Sequence, residues 1–350
     1  MPGSVNSGWE WDRRSGPGRR RASRPLVWIV VGLAFLAAAA YLYHPPLVIL
    51  YPGNALVVED GIDIEGAPTS PVQGDYRLTS VGIEQPNLLG ALVAWVRDDR
   101  DVVPIGEVVP GGVDPEEYFE VQRDVFDDSR QLAAVAGARA AGYDVAVDGN
   151  GARVVGVIPD SPAADALDTG DVVVAVDGAQ IATTTDLREA VRGREAGEEL
   201  AVTVDRAGER GRDEVEVELT SLPDLAGEAG LGVVVTTEDL AADLPFDVSF
   251  PKRDIGGPSA GLAYALAVAD LLDERDLAGG RTIAATGTIG ANGDVGPVGS
   301  VGLKAIAAED AGADVFLLPV DNADEPGDAE LEVRAVGSLD EALDLLRTTA

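Results

Sequence analysis

Residues 256–272 read G-G-P-S-A-G-L-A-Y-A-L-A-V-A-D-L-L. The two glycines permit backbone angles that other residues avoid, and Pro258 suits a first helical turn. From Ser259 to Leu272 the run is too apolar for an exposed helix, so it predicts a helix buried in a core. Ser259 then stands at the helix mouth, where the first N–H groups lack partners and the dipole favours negative charge. Such a place can hold a nucleophile and stabilise an oxyanion, with Gly257, Pro258 and Ala260 as supporting backbone.

Composition narrows what that serine can do. The 350 residues contain no Cys, one His (His44) and only two lysines, Lys252 and Lys304. A Cys-His dyad is impossible. A Ser-His-Asp triad would need His44, which ends an apolar N-terminal segment. Ser paired with Lys is the main activated nucleophile left. Without Cys there is no disulfide framework or thiolate site, and a single His argues against a zinc enzyme. No metal and no cofactor is expected. Neither lysine follows a Gly, so the Walker A pair is absent and a P-loop ATPase is excluded within these residues.

Lys304 falls in the first turn of a predicted helix, Leu303–Ala311, between Leu303, Ala305 and Ile306. A cation there opposes the helix dipole, so capping does not explain it. Partial burial would lower its pKa, as a lysine base requires. Lys252 reads as a surface charge on the way into the glycine turn.

The formal net charge is −35. Six arginines against Glu10 and Asp12 give residues 1–25 a balance of +4, leaving −39 for the rest. Such a body repels phosphate backbones, so nucleic acid is not an expected partner. Leu26–Tyr43 is uncharged over a length that suits a hydrocarbon core of about 30 Å. Trp28, Tyr41 and Tyr43 sit where interfacial aromatics belong, and the preceding arginines put residues 1–24 on the cytoplasmic side. An uncleaved single-pass anchor is favoured because the apolar run continues past Ala37–Ala40. A cleaved secretory signal, with those alanines as its cleavage site, is the alternative.

The expected organisation is multidomain α+β. A basic tail (1–24) and a transmembrane helix (25–43) precede an extracytoplasmic α+β stem (44–141). A sandwich- or barrel-like β domain (142–222) and a separate α/β domain (230–350) follow. In the stem, strands are read at Leu47–Tyr51 and Tyr76–Ile83, and helices at Leu88–Arg97, Pro115–Asp127 and Ser129–Ala141. Ser161 is read as the cap of a short helix with Pro162 at its first position.

V-V-G-V-I-P-D-S-P-A-A-D-A-L-D-T-G-D-V-V-V-A-V-D-G at 154–178 resembles a PDZ domain of the bacterial protease-associated kind. The resemblance implies a groove where a peptide adds as a strand. Its carboxylate loop would fall near Gly142–Val147, with Tyr143, Asp144 and Val145 in the groove. That stretch departs from the usual Gly-Leu-Gly-Phe type, and Asp144 would repel a carboxylate.

Residues 230–350 resemble the proteolytic domain of the Lon family. The carrying stretches are G-P-S-A-G at 257–261, T-G-T-I-G-A-N-G-D-V-G-P-V-G at 286–299, G-L-K-A-I-A-A at 302–308, A-G-A-D-V-F-L-L-P at 311–319 and S-L-D-E-A-L at 338–343. The resemblance implies Ser259 as nucleophile, Lys304 as general base and Thr286 as a residue orienting the lysine. Many members carry an Asp three residues before the serine, where this chain has Gly256; Asp254 is out of register. The whole plan resembles bacterial membrane-anchored PDZ–Lon proteases, over most of residues 25–350. It implies an ATP-independent endopeptidase acting on secreted or membrane polypeptides at the bacterial cell membrane, and a ring-shaped homo-oligomer. A catalytically inactive PDZ/Lon-like scaffold is the alternative.

Overall fold

A computed structural model describes residues 24–97, 99–109, 115–158, 161–206, 211–221, 228–327 and 329–349. The side chains of 24–27, 115–117 and 349 lie outside it. So do residues 1–23, and with them nearly all of the expected basic tail.

The chain begins with α1 (Arg24–Leu42), β1 (Leu47–Val57), β2 (Asp63–Glu65) and β3 (Asp75–Glu84), then α2 (Leu88–Ala94), β4 (Asp101–Pro104), the short α3 (Ile105–Val108) and α4 (Pro115–Ala140). Next come β5 (Ala146–Asp148), β6 (Ala152–Val157), β7 (Val172–Val176), β8 (Ala179–Gln180), α5 (Thr184–Val191), β9 (Glu199–Asp205) and β10 (Arg212–Glu218). The short β11 (Thr220–Ser221) and β12 (Ala229–Gly230) lead to β13 (Val233–Thr237), β14 (Ala241–Asp243) and β15 (Asp247–Ser249). The last part holds α6 (Gly261–Leu272), β16 (Thr282–Ala285), β17 (Thr288–Ile289), β18 (Val295–Gly296), α7 (Val301–Asp310), β19 (Val315–Pro319), β20 (Glu332–Val336) and α8 (Leu339–Thr349).

One six-stranded sheet runs β20-β19-β16-β3-β1-β4. Parallel pairing joins β20, β19, β16 and β3, and antiparallel pairing adds β1 and β4. The stem and the C-terminal region, expected as separate units, therefore share one sheet: Tyr76 faces Ile283 and Leu78 faces Ala285. Strand patterning shows that a run is a strand, but it carries no label for a partner some 200 residues away. The alternation of strand side chains sorts two cores. Ile283, Ala285 and Leu317 face α4, α6 and α8, while Ala284, Phe316 and Leu318 face α7.

The two helices expected at 115–141 are a single helix, α4. Asp127, Asp128 and Ser129 favour local turns in isolation, but here two of them make tertiary bonds. Ser129 Oγ donates to the Pro258 carbonyl at 3.0 Å, and Asp128 accepts from the Thr237 N–H at 3.4 Å.

The second β unit is inserted between α4 and β14. Its sheet runs β10-β9-β7-β6-β13, with β8 on β7, over a core of Val154, Val173, Leu187, Leu200, Val202 and Leu231. β5 and β14 pair at its neck. Helix α5 begins with a capping box, Thr183 with Asp186. Ser161 does not cap the turn that follows it; its hydroxyl donates to the Ile158 carbonyl at 2.6 Å.

Helix α1 has 19 residues, and Trp28, Phe35, Leu36 and Leu42 are exposed along it. Among the described residues no helix is long and apolar enough to cross a membrane. Leu26 and Val27, part of the uncharged run, have no described side chains. The expected span at Leu26–Tyr43 thus corresponds to a helix, without a membrane crossing being established for it.

Candidate active site

The glycine turn is built against α4. Gly257 has φ +86°, a left-handed value that costs a residue with a Cβ. Its N–H donates to the Gln122 carbonyl at 2.8 Å, and the Ser129 bond holds the next carbonyl. A Cβ on Gly256 would stand 2.7 Å from Gln122 Cβ, and one on Gly261 would stand 2.7 Å from Ile289 Cγ2. Gly256 lies close against α4, so a carboxylate side chain has no room there unless Gln122 moves. Pro258–Ala260 forms a single 3-10 turn and α6 starts at Gly261, two residues later than the sequence implies. Gly257→Ala should cost about 1–3 kcal/mol, read as a lower denaturation midpoint at unchanged slope.

Ser259 is half-buried in that turn. Its carbonyl accepts from the Gly287 N–H at 2.9 Å and from Thr286 Oγ1 at 3.2 Å. Thr286 is fully buried and also bonds to Leu317 through its N–H. The Thr286 hydroxyl thus bonds to the serine backbone and not to the lysine it was expected to orient.

Lys304 is 5% exposed on α7. Burial lowers its pKa from 10.5 to about 8, while the Glu325 carboxylate acts in the opposite direction. Glu325 is itself held by Asn322, whose Nδ2 donates to it at 2.9 Å. Sequence reasoning had no signal for Glu325, because it sits in a loop outside every recognised motif. Ser259 and Lys304 line the same two cavities, of about 1000 and 520 Å³. Tyr118, Gln122 and Gly299 also belong to both. Asp254 is exposed and pairs with Arg123 at 3.2 Å.

Of the expected peptide-groove residues, two pack toward the core around α6. Tyr143 packs edge-on against Phe246 at 4.9 Å, and Val145 is buried in the core around α6. Asp144 between them is exposed. The inserted sheet instead ends in β13, which has no strand on its outer edge among the described residues and which contacts α5. The stretch leading into it is Gly230-Leu231-Gly232-Val233, with Gly232 at φ +77°. That is the glycine-leucine-glycine type sought near residue 142. It was legible in the sequence, but at the opposite end of the insert.

The inserted unit is tied to the turn between β17 and β18. Asn292 Nδ2 donates to Glu189 at 2.6 Å, Arg192 pairs with Asp294 at 2.5 Å, and the Ala291 N–H donates to Thr185 Oγ1 at 3.2 Å. Part of the G-A-N-G-D stretch at 290–294 therefore serves to dock α5 beside the cavities.

Comparison with known proteins agrees with this architecture. Residues 134–219 match the family model of the PDZ domain, and residues 236–346 match that of the Lon protease (S16) C-terminal proteolytic domain. The PDZ domain of an SdrC-like protein of Listeria monocytogenes is 24% identical, over 25% of this chain and 87% of that one, with a TM-score of 0.23. The corresponding domain from Listeria innocua is 25% identical, over 24% of this chain and 92% of that one, with a TM-score of 0.23. GtR34C from Geobacillus thermodenitrificans is 36% identical, over 24% of this chain and 95% of that one, with a TM-score of 0.22. No curated protein matches the chain. The chain thus carries a PDZ domain and the proteolytic domain of the S16 serine-protease family in one polypeptide, without an ATPase module among its 350 residues.

Proposed function

We propose that the protein is an ATP-independent serine endopeptidase that uses Ser259 as nucleophile and Lys304 as general base. The observation that carries this reading is a lysine buried beside the serine's cavity with its pKa brought down to about 8. A lysine so placed is neutral in a large enough fraction near neutral pH to accept a proton. Ser259 Oγ attacks the scissile carbonyl carbon as its proton passes to Lys304 Nζ. The oxyanion is met by the backbone N–H of Ser259 at the start of the Pro258–Leu272 helical run. Lys304 then gives the proton to the departing amine. Water, deprotonated by Lys304, opens the acyl-enzyme, and the serine recovers its proton.

Glu325 stabilises the protonated lysine, so its removal lowers the lysine pKa further. Glu325→Gln should move the acidic limb of the kcat/KM profile to lower pH. A profile unmoved, or moved upward, would show that this carboxylate does not act on the base.

We further infer that the enzyme is anchored by the Leu26–Tyr43 run, with the catalytic body on the extracytoplasmic side. At 1.5 Å per residue, the 19 residues of α1 extend about 28 Å. The Leu88 N–H donates to the Tyr43 carbonyl at 2.9 Å, tying α2 to the end of α1. Leu92, Val93, Trp95 and Val96 are exposed on and just after α2, with Trp95 at 78%. This apolar face continues from α1 and fits a membrane interface. N-terminomics of membrane and secreted fractions, wild type against Ser259→Ala, tests the whole reading. Serine-dependent new termini in exported proteins are expected. Identical termini in both strains would reject the activity, and a cleaved mature N-terminus would reject the anchor.

A further inference from the structure

The smaller cavity reaches from the PDZ insert to the catalytic serine. Its wall takes Val233, Val234 and Val235 from β13, Thr184, Leu187, Arg188 and Val191 from α5, and Ser259 and Lys304 from the proteolytic unit. An open strand edge next to a helix is the geometry to which an extended peptide adds by main-chain bonds. Here that edge and the reacting groups bound one space.

Arg188 stands where the two parts meet. Its Cδ lies 3.9 Å from the Cβ position of Gly296. Gly296 pairs with Thr288, one residue beyond Gly287, whose N–H holds the Ser259 carbonyl. Among the described residues its guanidinium makes no hydrogen bond and no ion pair, although it carries five donors. The acids around it are otherwise occupied or weakened. Asp294 pairs with Arg192. Asp128 accepts from Thr237, and burial pushes its pKa up to about 6. Burial also pushes Glu228 upward. A half-buried guanidinium without a hydrogen-bonded partner, facing a peptide-sized cavity, is matched by a carboxylate arriving with the ligand.

We propose that the β13–α5 groove and the Ser259–Lys304 cleft form one continuous peptide channel, in which Arg188 determines specificity by binding a carboxylate of the extended peptide. This rests on the catalytic reading above. The carboxylate is either an acidic side chain or the free C-terminus, both of which offer the same bidentate acceptor.

The test uses the full chain carrying Ser259→Ala and fluorescence anisotropy with three otherwise identical peptides. One has an internal Glu and an amidated end, one has Gln and an amidated end, and one has Gln and a free C-terminus. A carboxylate-bearing peptide should bind about tenfold tighter than the amidated Gln peptide. The preference should vanish in Arg188→Gln and partly return in Arg188→Lys, which also controls for folding. Whether the Glu or the free-end peptide gains the advantage identifies the source. Equal binding of all three, or a preference unchanged in Arg188→Gln, would overturn the proposal. In the cleaving enzyme, Arg188→Gln should raise KM about tenfold and leave kcat in place. If no peptide is cleaved yet the carboxylate preference persists in the Ser259→Ala chain, the catalytic reading has failed and the channel has not.

Discussion

Ser259→Ala and Lys304→Met each abolish cleavage of an unfolded polypeptide, by at least about 10³-fold in kcat/KM. In the proposed mechanism the loss is large because the two groups act as a unit: the serine is not nucleophilic until the lysine takes its proton. It should not be accompanied by unfolding. The Ser259 carbonyl accepts the bonds from Gly287 and Thr286, and Ala retains that carbonyl. Met fills much of the lysine's volume at this buried position of α7. Combining the two substitutions should cost little more than either alone. Wild-type-like turnover in either single variant would reject the dyad, and additive losses would mean that the residues act independently.

The same lysine is a burden on stability, which gives the second large effect. Its pKa in the fold is about 8 against an ordinary 10.5. Below about pH 8 the site is protonated in both the folded and unfolded chain, and the fold bears the full cost of a buried charge. Between about 8 and 10.5 the unfolded chain binds more protons there than the folded one, so stability rises with pH across that window. The shift corresponds to about 3 kcal/mol. Lys304→Met removes the cost, so the inactive variant should be more stable than wild type by up to about 3 kcal/mol at pH 7. Urea unfolding at pH 7 and pH 10 checks this: the advantage of Met should shrink at the higher pH. A Met variant less stable than wild type at both would mean that Lys304 has a stabilising role.

Much of this was legible in the residues. The apolar helix after the glycine turn, the strand at Tyr76–Ile83 and the partial burial of Lys304 all follow from local pattern. So do the PDZ texture of 154–178 and the elimination of His- and Cys-based chemistry. What sequence did not disclose is non-local. Nothing in Tyr76–Leu78 announces pairing with Ile283–Ala285, so the stem looked like a separate unit when it supplies half of the proteolytic sheet. Likewise α4 looked broken at Asp127–Ser129, because those residues favour turns until Thr237 and Pro258 arrive as partners. The peptide groove was sought at the start of the insert, where Tyr143 and Val145 pack against the neighbouring core, while a Gly-Leu-Gly stretch stands at the insert's end, at Gly230–Gly232. Thr286, expected to orient Lys304, lies against Ser259, where its hydroxyl donates to the serine's carbonyl.

The most direct measurement is intact-protein mass spectrometry after treatment with a fluorophosphonate, with the labelled peptide mapped and the rate followed from pH 6 to 10. A Ser259–Lys304 mechanism predicts one adduct, on Ser259, at a rate that rises with pH and levels near 8. In Lys304→Met the labelling should be nearly lost. An adduct on another serine, or a Ser259 adduct that forms equally fast in Lys304→Met, would contradict it.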